Sequence, residues 1–307
     1  MKQISIKEIL EFLRLSDYSY QYVGCDNGVV SGFSSLGNYK EKCFTWLKQQ
    51  DNWREEYNKY NIPLLVTQLG CDTDVNVKNK IISVESRKIF FSIIDHFYGT
   101  EEHKESIGKY TFIGEDVVLG ENVSIGNNCT IVGDIRIGAG TVIEDNVVIR
   151  NRVTIGKKCH IQSGCVLGED GFGFIEDRNH KKTMIKHFGG LVMGDDVFVG
   201  MHTNIARGVL DDTVIENGVK IAPTSHIGHN NHIDKDAVFI CSQSYGSVHI
   251  GEDAYVVGSI VRNHCTVGDQ SMVGMGSVVV KDIPENKVAI GTPARVTDDR
   301  YKHWEGN

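Results

Sequence analysis

Proline is scarce in this chain, which has 4 prolines against 33 glycines in 307 residues. No stretch approaches about 18 uncharged apolar residues, so the sequence predicts no transmembrane helix. The start, MKQISIKEILEFLRL, lacks the apolar core of a signal peptide, and a cytoplasmic location is therefore the default expectation. A net charge of -8 leaves no basic excess, which argues against a nucleic acid or an anionic membrane as partner.

The cysteines lack the spacing of a metal site or a redox motif. None of the eight stands in a C-x-x-C pair or at zinc-ligand spacing. They are expected to be small buried side chains in a reducing compartment. They are Cys25, Cys43, Cys71, Cys129, Cys159, Cys165, Cys241 and Cys265.

The abundant glycine follows a repeat of six residues. Every sixth residue from Ile113 to Leu167 is Ile or Leu, ten positions without exception, and we refer to each as a mark. Glycine follows six of these ten marks, and a second restrained class of residue recurs four positions after each mark. A short strand followed by a tight turn has this period, with the mark and the residue four positions on facing inward. The pattern predicts a parallel β-solenoid, mainly β in class.

The repeat is interrupted twice, and these breaks define the domain organisation. Residues 168–190 carry no mark and are predicted to form a loop, and a loop of that length in a compact repeat is usually functional. The marks resume at Met193 and slip by four residues through ARGVLDDT. We predict three regions: a small α/β domain over 1–106, a β-helix over 107–292 and a short tail over 293–307.

The first region has mixed local patterns. The segments SIKEILEFL, NWREEYNKY and RKIFFSIIDHFY predict helices, whereas NIPLLVT and IISV predict strands. This is the pattern of a small α/β domain placed before the solenoid.

Three histidines occur in HIGHNNHI, residues 226–233. Ile227 and Ile233 are marks, so His226, His229 and His232 are predicted to point away from the packed interior. Solvated histidines on a prism face would account for the pattern alone. Carbonic anhydrases of the γ class are left-handed β-helices that hold zinc with a histidine pair four residues apart, whereas the spacing here is three and three, so no metal is predicted.

A resemblance to a known family extends this reading. The runs GEDGFGF, HFGGLVMGDDVFVG, ARGVLDDTVIENGVKI and IGHN, within residues 167–233, resemble UDP-3-O-acylglucosamine N-acyltransferase, the N-acylating enzyme of lipid A synthesis. The segments FSSLGNYKEKCFTWL and IISVESRKIFFSIIDHFY are similar, more weakly, to that family's nucleotide-binding domain. The resemblance implies a left-handed β-helix, a homotrimer with its site between neighbouring subunits, and direct acyl transfer from a thioester to a nucleotide-linked amino sugar.

The resemblance also implies roles for particular residues. His229, in the family's histidine-asparagine motif, is the expected general base, Asn230 would fix its ring, and His264 would participate. A backbone N–H of Gly246 or Gly258 is expected to receive the developing oxyanion. The expected substrate-binding residues are His187, the loop residues Phe172 and Phe174, and Trp46 and Trp53 as base-stacking candidates. A tryptophan in the core explains the last two equally well.

Two departures from the family's pattern argue against the lipid A enzyme itself. Ala222-Pro223-Thr224 stands where the lipid A enzyme normally has an Asp-Asn pair, and only TDDRYKHWEGN follows the solenoid in place of a long helical extension associated with acyl carrier protein. The end, VGMGSVVVKDIPENKVAIGTPARV, instead resembles acetyl-CoA-dependent sugar acetyltransferases. The resemblance assigns pantetheine contacts to Gly274, Gly276, Gly291, Pro293 and Ala294, and phosphate contacts to Lys281 and Arg295.

Several alternatives follow for function. We expect an N-acyltransferase that uses acetyl-CoA or another short acyl-CoA, with the lipid A enzyme and its acyl carrier protein donor as the alternative. The C-terminal motif could also simply end the solenoid. A metal-dependent lyase or a non-catalytic solenoid are the alternatives of a different class.

Overall fold

The computed structural model describes residues 2–47, 59–71, 77–99 and 105–299. The chain divides into two compact units, Met1–Glu102 and His103–Asn307. The division falls close to the predicted boundary at residue 106. No helix in the described ranges is long and apolar enough to cross a membrane.

The first unit is a small α/β domain. Its helices are α1 (Ile6–Arg14) and α2 (Ser86–Tyr98), with a 3₁₀ turn at Leu36–Asn38. A short antiparallel pair joins Ile4–Ser5 to Val29–Val30. A four-stranded sheet has the order Gln21–Val23, Lys80–Ile82, Leu65–Thr67 and Thr45–Leu47. The helix predicted for NWREEYNKY falls largely on residues 52–58, which lie outside the described residues.

Helix α1 illustrates how local sequence sets an element. Apolar residues at Ile6, Ile9 and Leu13 lie on one face and are buried. The Ser5 hydroxyl accepts from the Glu8 N–H at 3.2 Å, and the Glu8 carboxylate accepts from the Ser5 N–H at 2.7 Å. This reciprocal capping box satisfies two backbone donors at the helix start.

The second unit is the predicted solenoid, and the predicted fold class is confirmed. Its three faces are sheets of 11, 9 and 8 strands. The first face comprises Ser106–Ile107, Ser124–Ile125, Val142–Ile143, His160–Ile161, Phe198–Val199, Lys220–Ile221, Val238–Ile240, Tyr255–Val257, Met272–Val273, Lys287–Ile290 and Arg295–Asp299. The second comprises Phe112–Ile113, Thr130–Val132, Val148–Arg150, Val166–Glu169, Asn204–Ala206, His226–Ile227, Gln243–Ser244, Ile260–Val261 and Val278–Val279. The third comprises Val117–Leu119, Ile135–Ile137, Val153–Ile155, Leu191–Met193, Thr213–Ile215, His232–Ile233, His249–Ile250 and Thr266–Val267.

The strand register explains the six-residue period. Ile125 pairs in parallel with Ile143, and Ile143 with Ile161, so each mark stacks on the mark 18 residues later, three hexads on. Marks from Ile125 onward in this run are buried in one continuous core. Burial of one such aliphatic side chain stabilises the fold by about 1.5–3 kcal/mol.

The inward position two residues before a mark, which in an unbroken repeat is four residues after the preceding mark, carries hydrogen bonds as well as bulk. Thr141 Oγ1 donates to the Gly156 carbonyl at 2.9 Å, Cys159 Sγ to the Gly194 carbonyl at 3.1 Å, and Ser259 Oγ to the Gly274 carbonyl at 2.8 Å. Each bond links one corner to the corner of the next coil. The small polar residues in the core therefore satisfy carbonyl groups that the turns leave without partners.

The two breaks in the repeat are insertions at the corners. Residues 168–190 leave the second face and return to the third, and they contain an antiparallel hairpin of Phe174–Glu176 with Lys182–Met184. The predicted loop therefore has secondary structure of its own. The four-residue slip becomes a short corner loop between Ala206 and Thr213. At the C-terminal end, Arg295–Asp299 pairs antiparallel with Lys287–Ile290, so part of the predicted tail joins the first face.

Candidate functional site

His229 lies at a corner between the second and third faces, two residues after the buried mark Ile227. Its side chain is half-buried and points away from the core, as its phase in the repeat predicts. His226 lies on the second face and is half-buried, whereas His232 lies on the third face and is exposed. The three histidines, although only three residues apart, therefore have three different environments.

Asn230 holds the His229 ring. Its Oδ1 accepts from the Val209 N–H at 3.0 Å, and its Nδ2 donates to the Asp211 carbonyl at 3.0 Å, which fixes the orientation of the amide. The same Oδ1 lies 3.0 Å from His229 Nδ1. Because an amide oxygen can only accept, Nδ1 must donate, and the neutral ring therefore has its lone pair on Nε2.

Asn231 supports the backbone around the same corner. This buried residue occupies an inward position, and its Nδ2 donates to the carbonyls of Gly228 at 3.0 Å and Tyr245 at 2.6 Å. A bifurcated contact of 3.3 Å reaches the His229 carbonyl. The amide ties the histidine corner to the next coil, a role that was not predicted from the sequence.

A cavity of about 290 Å³ opens beside His229. It is lined by Gly171, Phe172, His226, Gly228, His229, Tyr245 and Gly246. Five of these residues belong to the coils of the solenoid, and Gly171 and Phe172 belong to the insertion. The insertion predicted to be functional thus contributes to the same cavity as the predicted base.

Gly246 stands one coil beyond His229, directly against the imidazole. A Cβ placed on Gly246 would lie 2.4 Å from Cε1 and 2.5 Å from Nε2 of His229. Only glycine leaves room for the ring there. Within the described residues the Gly246 N–H donates no hydrogen bond, so this donor is available near Nε2.

His187 packs edge-on against His229, with ring centroids 5.3 Å apart and planes at 85°. It is only 2% exposed, and Nδ1 donates to the Ile185 carbonyl at 3.1 Å. Its Nε2 has no hydrogen-bond partner among the described residues. A Cβ on Gly171 would lie 3.1 Å from atoms of both rings, so Gly171 fits between them and the cavity.

His226 is a site residue that the sequence did not single out for a role. It lines the cavity, its Nδ1 contacts Asn204 Oδ1, and burial lowers its pKa. Burial therefore disfavours the charged form of this ring. The sequence could have indicated this role. His226 precedes the mark Ile227 on the second face, so its side chain points outward close to the corner that carries His229.

The other expected site residues are farther from the ring. The exposed His264 donates its backbone N–H to the Gly246 carbonyl at 3.1 Å, which places it one coil beyond Gly246. Gly258 adopts a φ of 51° at the corner between the first and second faces. Phe172 and Phe174 pack edge to face with centroids 5.9 Å apart, and only Phe172 reaches the cavity.

Trp46 lies in the first unit, half-buried against its core. Its Nε1 donates to Ser86 Oγ at 3.1 Å, and its ring lies 6.2 Å from that of Phe90. These contacts favour a structural role for Trp46. Trp53 lies outside the described residues, so base stacking by either residue stays a prediction.

The residues of the C-terminal motif bond mainly to one another. Gly291 N–H donates to Ser277 Oγ at 3.1 Å, and Ala294 N–H to the Val278 carbonyl at 2.9 Å, next to the cis Thr292–Pro293 peptide. The Gly274 N–H donates to the Ala289 carbonyl at 2.9 Å, and Gly276 adopts a φ of 76°. These contacts continue the solenoid to its end. Lys281 and Arg295 are exposed.

Metal-ligand geometry occurs away from this cavity. In the part of the chain that the structure describes, the one group of three or more metal-type ligands is Glu216, His232 and Asp234 on the third face. His232 Nε2 lies 3.2 Å from Glu216 and 3.3 Å from Asp234, as in ordinary surface ion pairs. His229 is not a member of this group.

A second hollow, of about 390 Å³, lies on the first face between Ser106 and Ser163. It is the larger of the two, but it contains no imidazole with a free nitrogen directed into it. Both of its acidic residues are already bonded: Glu144 to His160 at 2.7 Å and to the Ser163 hydroxyl at 3.0 Å, and Asp145 to the Asn127 side-chain amide at 3.1 Å. We therefore assign the candidate site to the smaller cavity.

Fold and site together define a left-handed β-helix of hexapeptide repeats with a histidine at a cavity-lining corner. The resemblance inferred from the sequence is confirmed by similarity to named proteins. The chain is 40% identical over 147 residues to UDP-3-O-acylglucosamine N-acyltransferase of Delftia acidovorans, covering 47% of this chain and 43% of the relative. The enzyme of that name from a Janthinobacterium species is 36% identical over 154 residues, covering 50% and 44%. The chain thus spans less than half the length of these curated relatives.

Solved structures give the same fold. LpxA of Acinetobacter baumannii superimposes with a TM-score of 0.57 at 26% identity, covering 65% of this chain and 78% of that one. UDP-N-acetylglucosamine O-acyltransferase of Moraxella catarrhalis gives a TM-score of 0.55 at 27% identity, covering 63% and 76%. Residues 100–172 also match the GMPPB C-terminal domain family.

Proposed function

We propose that the protein is an N-acyltransferase that moves an acyl group from a thioester to the amine of a UDP-linked glucosamine derivative. The observation that carries this proposal is the His229 ring, fixed by Asn230 so that Nε2 faces a cavity beside Gly246. The names of the relatives support a UDP-3-O-acylglucosamine acceptor. They favour the lipid A enzyme, which the sequence analysis gave as the alternative, over the enzyme using a short acyl-CoA that it expected from the C-terminal motif.

The chemistry requires one proton to leave the amine and one charge to be stabilised. As the amine nitrogen attacks the thioester carbonyl, His229 Nε2 takes its proton, and the resulting imidazolium can return a proton to the departing thiolate. The carbonyl oxygen becomes an oxyanion, and the Gly246 N–H is the donor that we propose for it, because Gly246 packs against the His229 ring and lines the cavity. No covalent enzyme intermediate and no metal are needed in this scheme.

The second candidate is a transferase that uses acetyl-CoA or a short acyl-CoA on another nucleotide-linked amino sugar. The observation that favours it is the C-terminal motif around Gly274 and Pro293. The bonds of these residues to one another support a solenoid-ending role equally well, so the donor must be measured. Acyl-CoA and acyl carrier protein should be compared with the same acceptor.

The test is transfer by the purified protein, measured as free thiol release and as acylated product by mass spectrometry. We expect His229→Ala to lower kcat by about 10²–10⁴-fold, the usual contribution of a general base. His232→Ala, three residues away on the exposed third face, is the matched control and should retain activity. Full activity of His229→Ala would refute the base assignment, and no transfer with either donor class would refute the proposed function.

A further inference from the structure

Arg207 is a nearly buried cation that the proposed chemistry does not use. It is 9% exposed and lies two residues after Ile205, in register with His229 two residues after Ile227. Arg207 therefore stands one coil before the candidate base. Burial of a charge is unfavourable unless it is paired, so its partners show what it holds.

The partners of Arg207 are the two ends of the inserted hairpin segment. Its Nε lies 3.4 Å from Asp170 Oδ1, an ion pair, and a terminal guanidinium nitrogen donates to the His187 carbonyl. Asp170 Oδ2 accepts from the His187 N–H at 3.3 Å, which closes a three-membered network. One side chain thus joins residues that are 17 positions apart in the sequence.

The joined residues border the candidate cavity. Gly171 follows Asp170 directly and packs against the rings of His187 and His229. On the other side of the insertion, Phe188 N–H donates to the Val209 carbonyl at 2.7 Å. The Val209 N–H in turn donates to Asn230, which holds the base. A continuous set of contacts therefore runs from the hairpin base to the His229 ring.

We propose that Arg207 is a positioning residue that clamps the base of the 168–190 hairpin and so fixes the wall of the cavity beside His229. A guanidinium can contact two groups through its planar fork, whereas a lysine ammonium is a single point charge on a flexible stem. The expected loss of turnover without Arg207 rests on the proposed function. The expected loosening of the hairpin base does not.

The experiment compares Arg207→Met and Arg207→Lys with the wild type. In Arg207→Met we expect backbone amides of residues 187–189 to exchange about tenfold faster, because local opening becomes easier. We also expect faster modification of His229 by diethylpyrocarbonate, read by peptide mass spectrometry. Arg207→Lys should recover part of both effects. Asp170→Asn, at an exposed position, supplies a second variant if Arg207→Met does not fold.

Arg150→Met is the matched control. Arg150 also pairs with a carboxylate next to the hairpin, Glu169 at 3.3 Å, but both side chains are about half exposed, at 51% and 49%. Its loss should leave exchange and His229 modification unchanged, since exposed pairs contribute little. The thermal midpoint of each variant, measured by circular dichroism, identifies any general loss of structure.

The kcat of the Arg207 variants then tests whether Arg207 positions the site. With the proposed acceptor and donor, Arg207→Met should lower kcat by about 10²-fold, the cost of misplacing a site by about 1 Å, with a smaller change in KM. Unchanged exchange and unchanged His229 modification would overturn the clamp, and faster exchange with unchanged kcat and unchanged modification would overturn its positioning role. A wild type without transfer activity would refute the proposed function and leave the exchange and modification results to decide the clamp.

Discussion

At the scale of single residues, the site depends on the absence of a side chain at Gly246. The imidazole of His229 occupies the space that a Cβ would need, and Gly246, whose N–H donates no hydrogen bond to any described residue, lines the same cavity. One glycine therefore serves both to admit the base and to offer a donor. The sequence analysis left Gly246 and Gly258 open as the donor. Only Gly246 contacts the ring, and the Gly258 N–H already donates to the Ile240 carbonyl at 2.8 Å.

Gly246→Ala is expected to displace the His229 ring and to lower kcat by about 10²-fold or more, given the loss of alignment. The control is Gly114→Ala at the same kind of corner, where the nearest atoms to a new Cβ lie 3.5 Å away and form ordinary contacts. Steady-state kinetics and thermal unfolding of both variants provide the comparison. Equal activity of the two variants would contradict the close packing of Gly246 on the base.

The orientation of a side chain could be predicted from the sequence where its position in the six-residue repeat decides it. Contacts between segments that are distant in the sequence could not be predicted in this way. The outward orientation of His229 follows from its position two residues after a mark, whereas its role as the base was implied by the resemblance. The Arg207 contacts with Asp170 and His187 could not be predicted, since the insertion has no period. The hydrogen bond from Trp46 to Ser86 likewise joins residues that are 40 positions apart.

At the scale of elements, the inward column at the corner between the first and second faces is built from interchangeable small residues. Cys165, Thr203, Ser242 and Ser259 occupy equivalent places, and each side chain donates to a carbonyl of a neighbouring corner. The Cys165 thiol is fully buried, and this burial raises its pKa to about 11. The prediction that the cysteines are buried side chains holds for six of the eight and is wrong for Cys25 and Cys241, which are exposed. The six buried cysteines are Cys43, Cys71, Cys129, Cys159, Cys165 and Cys265.

This raised pKa makes a stability prediction with a definite sign. Between the ordinary thiol pKa near 9 and about 11, the unfolded chain loses the Cys165 proton while the folded chain keeps it. Stability from this group is therefore complete below pH 9 and declines as pH rises through that window, by about 1.4 kcal/mol per pH unit at most.

Cys165→Ser should retain the hydrogen bond to Gly200 and remove the titration. We expect its free energy of unfolding, measured in denaturant from pH 8.5 to 11, to fall less steeply than that of the wild type. Cys25→Ser, at an exposed position, controls for loss of a thiol as such. Parallel curves for Cys165→Ser and the wild type would contradict the burial effect.

The six-residue repeat predicted the strands of the solenoid but not the secondary structure of its insertions. The marks fix a period of six residues, and the pairing of Ile131 with Ile149 shows that three hexads make one coil. The hairpin inside 168–190 alternates weakly and has no apolar face of the solenoid type, so its strands were not distinguishable from loop. In the first unit, amphipathic spacing predicted α1 and α2 correctly.

At the scale of the whole molecule, we expect the protein to be a homotrimer whose activity depends on assembly. The cavity beside His229 is open on one side, and the resemblance implies that a neighbouring subunit completes the site. Sedimentation velocity should give three times the monomer mass, and dilution or mild dissociation should reduce transfer activity in proportion to trimer loss. A fully active monomer would contradict this prediction.

Coil-to-coil pairing has a consequence for how such a molecule can change. Each strand of the solenoid bonds only to the strands directly before and after it in its own sheet. Duplication or deletion of one complete coil before residue 167 should thus lengthen or shorten the solenoid while leaving the chemistry intact. Deletion of part of a coil would shift the register of every later strand and turn inward side chains outward. We therefore expect related proteins to differ in length by whole coils.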